Sequence, residues 1–352
     1  MIRTVTGNLL AADVDALVNT VNTVGVMGKG IALQFKNAYP QMFKAYARAV
    51  KAGEVQLGRM HIWETGQLDG PRYIINFPTK GHWRSGSKIR DIDAGLVDLV
   101  SVIKYLGIGS IAIPPLGAGN GGLEWDQVEP RIRAALAALP DIDARVYTPT
   151  FTPRAAEMKH ASEPPAMTPS RAALVVLLGA YERTALGATP LELQKLMYFL
   201  QEAGEPLRLR YQAHLYGPYA DNLRHVLNQV EGHYVTGYGD ASSRVVNAEP
   251  LAVLPEAVPA ATSMLSASPD TTERIDRVTQ LTEGFASMYG LELLATVHWC
   301  AIRSKVELED RLDELVEAVH EWSPRKRDMF TSRHIHIAWK ALKDQSWLIG
   351  AP

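Results

Sequence analysis

An α/β domain followed by a mainly α-helical second domain is the fold class that this 352-residue chain predicts. Three observations carry it. Up to about residue 150, short strands rich in Val, Ile and aromatic residues alternate with helical patterns, which implies a mostly parallel sheet covered on both faces. From 148 to 169 the rhythm lapses into a charged stretch carrying five prolines, the composition of a stiff linker. Beyond it the apolar residues recur at three-to-four spacing. The expected division is an α/β domain over 1–150, a Pro-rich linker over 151–170 and a helical domain over 171–352.

In chain order, 2–6, 16–20, 60–63, 73–77, 111–114 and 145–147 read as strands. Helical patterns begin at 31–35 and occupy 40–51, 92–106 and 126–139, with Trp125 and Tyr147 expected in the core. After the linker, 171–184 and 191–203 read as helices, the second opened by Thr189-Pro190, a cap and first-turn pair. The stretch 232–246, with Tyr, Val and Gly, reads as a small hairpin. A second Pro/Ala/Ser-rich interval, 250–269, precedes helical patterns at 272–297, 308–321 and 335–342.

Composition narrows the function classes. With 47% hydrophobic and 21% charged residues the chain reads as globular. Cys300 is its only cysteine, which excludes an intramolecular disulfide and suits a reducing compartment. The longest apolar run, 172–180, is too short for a membrane span, and the N-terminus shows no signal-peptide pattern, so a cytoplasmic protein is expected. Residues 1–154 hold 17 basic and 13 acidic side chains, a net +4, whereas the remainder holds 19 and 25, a net −6. The first half can approach a polyanion; the second is suited to a basic protein surface.

Residues 19–30, Asn-Thr-Val-Asn-Thr-Val-Gly-Val-Met-Gly-Lys-Gly, lie between a buried strand pattern and a helix. A Gly-rich loop at that place lets backbone amides converge beside a helix N-terminus, where a phosphate or diphosphate is favoured. The spacing fits neither the P-loop nor the Rossmann fingerprint. A second strand runs into Pro115-Leu116-Gly117-Ala118-Gly119-Asn120-Gly121-Gly122. Two such loops at strand ends in one α/β sheet make a crevice for one ligand. Between them, 77–88 supplies Lys80, His82, Trp83, Arg84 and Lys88 without an acidic residue. Lys88 and Arg84 can follow a phosphodiester backbone while Trp83 or His82 stacks on a base; a solvated surface loop explains the charges equally well.

Together with Thr6-Gly7-Asn8-Leu9-Leu10, these loops resemble the ligand-binding segments of macrodomains, in which a mixed sheet between helices binds ADP-ribose. Phe77-Pro78-Thr79-Lys80 resembles the branch with a catalytic lysine, and the first half is similar to the DarG family of DarT/DarG toxin–antitoxin pairs. The resemblance implies an antitoxin that hydrolyses ADP-ribose from thymidine in single-stranded DNA, with no cofactor. It places Asn8 and Leu9 at the adenine, although many macrodomains have Asp where Asn8 stands. Thr20 and Asn22 fall by the distal ribose, and Thr79 beside the ligand. The amides of Gly30, Ile31 and Ala32, and of Gly117, Ala118, Gly119, Asn120 and Gly121, would hold the diphosphate. Lys80 and Asn22 are the implied catalytic pair, and His82, Trp83, Arg84 and Lys88 the DNA-contacting set. Relatives with the lysine pair it with an aspartate in the second glycine loop; Gly121 occupies the matching place.

The chemistry can also be argued from the residues. A neutral lysine amine can attack an anomeric carbon and leave a Schiff base for water to resolve, while a charged one can steady the departing base. An Asn such as Asn22 can orient ribose hydroxyls or cap a loop. His334 and His336 alternate without a third ligand nearby, so no metal site is expected. In the second half, 193–199 with Tyr216-Gly217-Pro218-Tyr219 is similar to a helical domain of several antitoxins, which implies direct binding of a DarT-type toxin; an oligomerisation domain is the alternative. The other readings are a hydrolase acting on ADP-ribosylated protein or O-acetyl-ADP-ribose, a non-catalytic ADP-ribose reader, and a pure interaction protein.

Overall fold

The computed structural model describes residues 1–67, 69–185, 187–243, 248–303 and 312–348. They form two compact units: Met1–Glu163 with Asp240–Ser242, and Pro164–Gly239 with Ser243–Pro352. Among the described residues no helix is long and apolar enough to cross a membrane.

The first unit contains β1 (Ile2–Val5), β2 (Ala16–Asn22), α1 (Gly30–Ala38), α2 (Pro40–Lys51), β3 (His61–Glu64), β4 (Tyr73–Lys80), α3 (Ile89–Leu106), β5 (Ser110–Ile113), α4 (Trp125–Leu136) and β6 (Asp143–Tyr147). Its sheet has the order β1-β6-β5-β2-β4-β3, parallel throughout except for the antiparallel β3–β4 pair. Side chains along a strand alternate between faces, and here neighbours part company in that way. Val18, Ile75 and Ile113 pack with Leu96 and Leu99 of α3 and Ile132 of α4. Leu17, Ile74 and Ala112 pack with Phe35 of α1 and Met42 and Tyr46 of α2. This is the expected mixed sheet between helices, and Tyr147 is buried in its core with Trp125 packed at the edge.

Two strands run further than their composition suggests. β2 extends to Asn22 and β4 to Lys80 because they pair with each other that far, Asn22 opposite Lys80, with a register shift at Val21/Asn22. Pro78 inside β4 is tolerated because β3 ends opposite Asn76, so past that point β4 has a free edge where a missing N–H costs little. Lys80 therefore stands on the end of a central strand. Gly95 of α3 lies so close to Phe77 that an added Cβ would come within 2.2 Å of the ring. Gly95→Ala is expected to lower unfolding free energy by about 1–3 kcal/mol, despite the better helix propensity of Ala, in urea titrations of the full chain.

The chain after β6 does not leave this unit at once. Ala155–Glu157 makes a 3-10 turn with Ala155 buried, and the Ala161 amide donates to the Asn37 carbonyl at 2.9 Å.

The second unit comprises α5 (Pro169–Glu182), α6 (Pro190–Glu202), β7 (Tyr211–His214), β8 (Gly217–Ala220), α7 (Leu223–Val230), β9 (Val235–Thr236), β10 (Ala252–Val253), α8 (Ala257–Ser266), α9 (Pro269–Thr282), α10 (Met288–Arg303), α11 (Leu312–Glu321), α12 (Pro324–Met329) and α13 (Ser332–Asp344). A single apolar cluster joins them. Thr189 and Glu192 form a reciprocal capping box at the start of α6, a helix buried on every side. Several expectations need correction. The interval 250–269 holds β10 and α8, whose Ala257, Ala261 and Leu265 lie one turn apart and are buried. The pattern 272–297 is two helices, interrupted where Gly284 takes φ +81°. Among the described residues β9 pairs with β10, and β7 and β8 form a hairpin absent from the expected elements. Residues 244–246 of the expected hairpin and 308–311 of the expected helix lie outside the described residues.

Buried Glu231 accepts hydrogen bonds from the Tyr238 amide at 3.0 Å and the Thr236 hydroxyl at 3.4 Å. Burial outweighs these bonds and pushes its carboxyl up to about 7 from an ordinary 4.5. Between those values the folded state keeps a proton that the unfolded chain releases. This stabilisation is thus complete below pH 4.5 and is lost as pH rises to about 7. Melting curves across that window should show the fall, and Glu231→Gln should flatten it.

Candidate active site

The three sequence motifs meet at Asn120. Its carbonyl accepts a hydrogen bond from Lys80 Nζ at 3.0 Å. Its side-chain amide lies 2.7 Å from where a Cβ on Gly30 would stand, so the first glycine loop comes this close only because residue 30 has no side chain. Gly30 also takes φ +62°, in the left-handed region that favours glycine. From the first loop, the Thr23 amide donates to the Lys80 carbonyl at 3.2 Å and the Thr23 hydroxyl to the Gly81 carbonyl at 2.8 Å. Lys80 is thereby held between both loops.

Its electrostatics follow from that position. Partial burial lowers the Lys80 pKa from its ordinary value, because desolvation disfavours the ammonium. Its hydrogen-bond partner is a peptide carbonyl, not a carboxylate. Residue 121, the place at which the resemblance leads one to look for an aspartate, has no room for a side chain. A Cβ there would sit 2.4 Å from the Gly117 carbonyl oxygen and 2.4 Å from Ser87 Oγ, so backbone and side chain both exclude one.

The remaining residues divide by what their side chains touch. Asn22 is buried, and its carboxamide folds the first loop: Oδ1 accepts from the amides of Val24 at 3.1 Å and Val26 at 3.2 Å, and Nδ2 donates to the Val26 carbonyl at 2.6 Å. The Tyr46 hydroxyl donates to the Asn22 carbonyl from below, and burial raises that phenol to about 12. Thr79 is likewise buried, with its hydroxyl on the Val21 carbonyl at 3.4 Å, while Thr20 is half-buried in β2. Asn8 caps the 3-10 turn Leu9–Ala11 through Oδ1, which accepts from the Leu10 amide at 3.0 Å; Leu9 is buried. The Gly30 amide donates at 2.8 Å to the carbonyl of Asp240, in the short segment that clusters with this unit. Ile31 and Ala32 lie in the first turn of α1, where amides have no intrahelical acceptor.

His82, Trp83 and Arg84 form a stack. The His82 and Trp83 rings are 5.4 Å apart at 29°, and the Arg84 guanidinium lies 4.5 Å from the Trp83 centroid. Lys88 is exposed at the N-cap of α3. Two residues escaped the sequence reading. Thr23 ties the first loop to Lys80, and Ser87 docks on the second loop; neither stands out from its neighbours by type or spacing.

A Macro domain family model matches residues 18–132. A DNA ADP-ribosyl glycohydrolase from Thermus aquaticus is 46% identical over 97% of this chain and 93% of its own length. The chain belongs to the DNA ADP-ribosyl glycohydrolase (DarG) family. It is accordingly a macrodomain hydrolase. The solved macrodomain of Mycobacterium tuberculosis DarG is 62% identical, covering 43% of this chain and 99% of that one with a TM-score of 0.42. A DNA ADP-ribosyl transferase–DNA ADP-ribosyl glycohydrolase fusion protein of Thermosipho africanus is 35% identical over 160 residues, 41% of this chain and 41% of the fusion. Lys80, Gly30 and Asn120 lie within the residues that the Macro domain model matches.

Proposed function

We propose that the chain cleaves the N-glycosidic bond joining ADP-ribose to thymidine in single-stranded DNA, and that Lys80 is the catalytic residue. The supporting observation is the placement of its amine: on the end of β4, between the glycine loops, with its pKa lowered by partial burial. In its neutral form the amine attacks the anomeric carbon as the carbon–nitrogen bond to the base breaks. The thymine anion takes a proton from the new ammonium to leave a glycosylamine. Its ribose ring opens as the bond from the anomeric carbon to the ring oxygen breaks and that oxygen takes the remaining amine proton, and water hydrolyses the resulting Schiff base to ADP-ribose and free Lys80. Amides of Ile31 and Ala32 and of Gly117, Gly119, Asn120 and Gly121 hold the diphosphate; those of Gly30 and Ala118, expected in the same set, are instead engaged by the Asp240 and Pro115 carbonyls. Asn8, Leu9, Thr20 and Thr79 line the nucleoside ends. Asn22 shapes the ribose end through the loop it folds, and the 82–84 stack with Lys88 meets the DNA.

The second unit binds and blocks a DarT-type toxin in the cytoplasm. Its residues belong to the acidic half of the chain, and a relative carries transferase and glycohydrolase in one polypeptide. Such binding should weaken with salt. The deciding assay follows ADP-ribose release by the full chain from a thymidine-modified single-stranded oligonucleotide, with an ADP-ribosylated protein alongside. Release from DNA supports the proposal. Release from protein alone, or ADP-ribose binding with no release, overturns it.

A further inference from the structure

The segment 80–88 is fastened to the second glycine loop at both ends. At one, Lys80 Nζ donates to the Asn120 carbonyl at 3.0 Å; at the other, the Ser87 amide donates to the Gly121 carbonyl at 2.9 Å. Thr23 holds the same segment from the first loop. Inside this clamp the Arg84 amide donates to His82 Nδ1 at 3.2 Å, which fixes the turn carrying the His82–Trp83–Arg84 stack. Trp83 remains 39% exposed at its centre.

Ser87 fits where it does because two glycines make room. A Cβ on Gly117 would come 3.0 Å from Ser87 Cβ, and one on Gly121 2.4 Å from its hydroxyl oxygen. That hydroxyl is inaccessible and has no hydrogen-bond partner. Burying a bare hydroxyl is unfavourable, so its location reflects the close docking of backbone on backbone and not a side-chain bond. The aromatic stack and the proposed diphosphate amides are thus tied together by main-chain hydrogen bonds and close backbone contact.

We propose that Ser87 is a positioning residue that sets DNA-linked ADP-ribose apart from the free nucleoside adduct. By seating the stack at a fixed distance from the diphosphate loop, it presents Trp83 to the nucleotide beside the modified thymidine. A platform already in place does not lose loop entropy when the strand binds. The inference rests on the thymidine-glycohydrolase reading above and specifies its substrate.

The experiment measures kcat/KM of the full chain on an ADP-ribosylated single-stranded oligonucleotide and on ADP-ribosyl-thymidine nucleoside. The readout is their ratio. Ser87→Val, whose second γ-carbon adds bulk beside Gly117 and Gly121, should reduce that ratio by about tenfold, chiefly through KM for the oligonucleotide. Ser87→Ala, which keeps the amide bond and the small volume, should hold the ratio within roughly threefold of wild type. Trp83→Ala, at an exposed position where folding is not at stake, should reduce it as Ser87→Val does. An unchanged ratio in Trp83→Ala, or an equal loss on both substrates in Ser87→Val, overturns the inference. No wild-type release from either thymidine substrate defeats the underlying function instead, and is told apart by the wild-type rate alone.

Discussion

Lys80→Ala is expected to lower kcat for ADP-ribose release from modified DNA by at least about a thousandfold. Its affinity for free ADP-ribose should stay within roughly threefold of wild type, since the proposed ligand contacts are main-chain amides of the two loops. Titration calorimetry with ADP-ribose and single-turnover release from an oligonucleotide check the two halves. The pH profile identifies the form of the amine that works. Burial favours the neutral form of Lys80, so nucleophilic attack predicts a rate that rises with pH and levels off below the ordinary lysine value of 10.5. A rate that falls as pH rises through the same range would make the ammonium the active species and remove the covalent step. Lys80→Arg sharpens the choice, because guanidinium keeps the charge and cannot act as an amine nucleophile. A loss of ADP-ribose affinity as large as the loss of turnover would place Lys80 among the binding groups.

Much of the first unit was legible because its signals are local. Alternating apolar residues set which face each strand residue covers, and the glycines mark where backbones approach. The limits are non-local. The length of β4 depends on its partners: β3 stops opposite Asn76 while β2 continues, and only that difference lets Pro78 sit inside a strand and carries Lys80 to its end. Asn22 shows a second limit. An Asn in a glycine loop is compatible with a ligand contact or a loop cap, and only the positions of the Val24 and Val26 amides reveal the cap. Ser87 shows a third, since its environment is made by glycines thirty and more positions along the chain. In the second unit, the proline and alanine content of 250–269 masked the one-turn spacing of Ala257, Ala261 and Leu265, the two alanines being small enough for close packing against α5.

The second unit offers the other large effect, at Glu292 of α10. Its carboxylate is 2% exposed and receives Lys326 Nζ at 2.5 Å and Arg325 at 2.5 and 3.2 Å. Burial alone would raise its pKa, yet the hydrogen bonds and charge of Arg325 and Lys326 prevail and hold it below the usual value. Lys326 is fully buried, so its ammonium depends on that carboxylate. Nearby, Lys195 of α6 donates to the Pro218 carbonyl at 2.6 Å, with a pKa lowered to about 7 by burial and by the charge of Lys326. Gly217 lies close enough to α10 that a Cβ would meet Thr296 Oγ1 at 2.9 Å. The Tyr216–Tyr219 sequence thus reports how β8 docks against α6 and α10. Glu292→Ala strands the buried Lys326 ammonium, while half-exposed Arg325 can turn to solvent, and should destabilise this unit by about 3–5 kcal/mol, whereas Glu292→Leu combined with Lys326→Met should lose much less, because it removes the buried charges on both sides of that pair. Chemical denaturation of the three proteins measures the difference. If Glu292→Ala were as stable as wild type, the ammonium of Lys326 would have to be neutral or hydrated in the folded state, and the packing of the hairpin would rest on its apolar contacts alone.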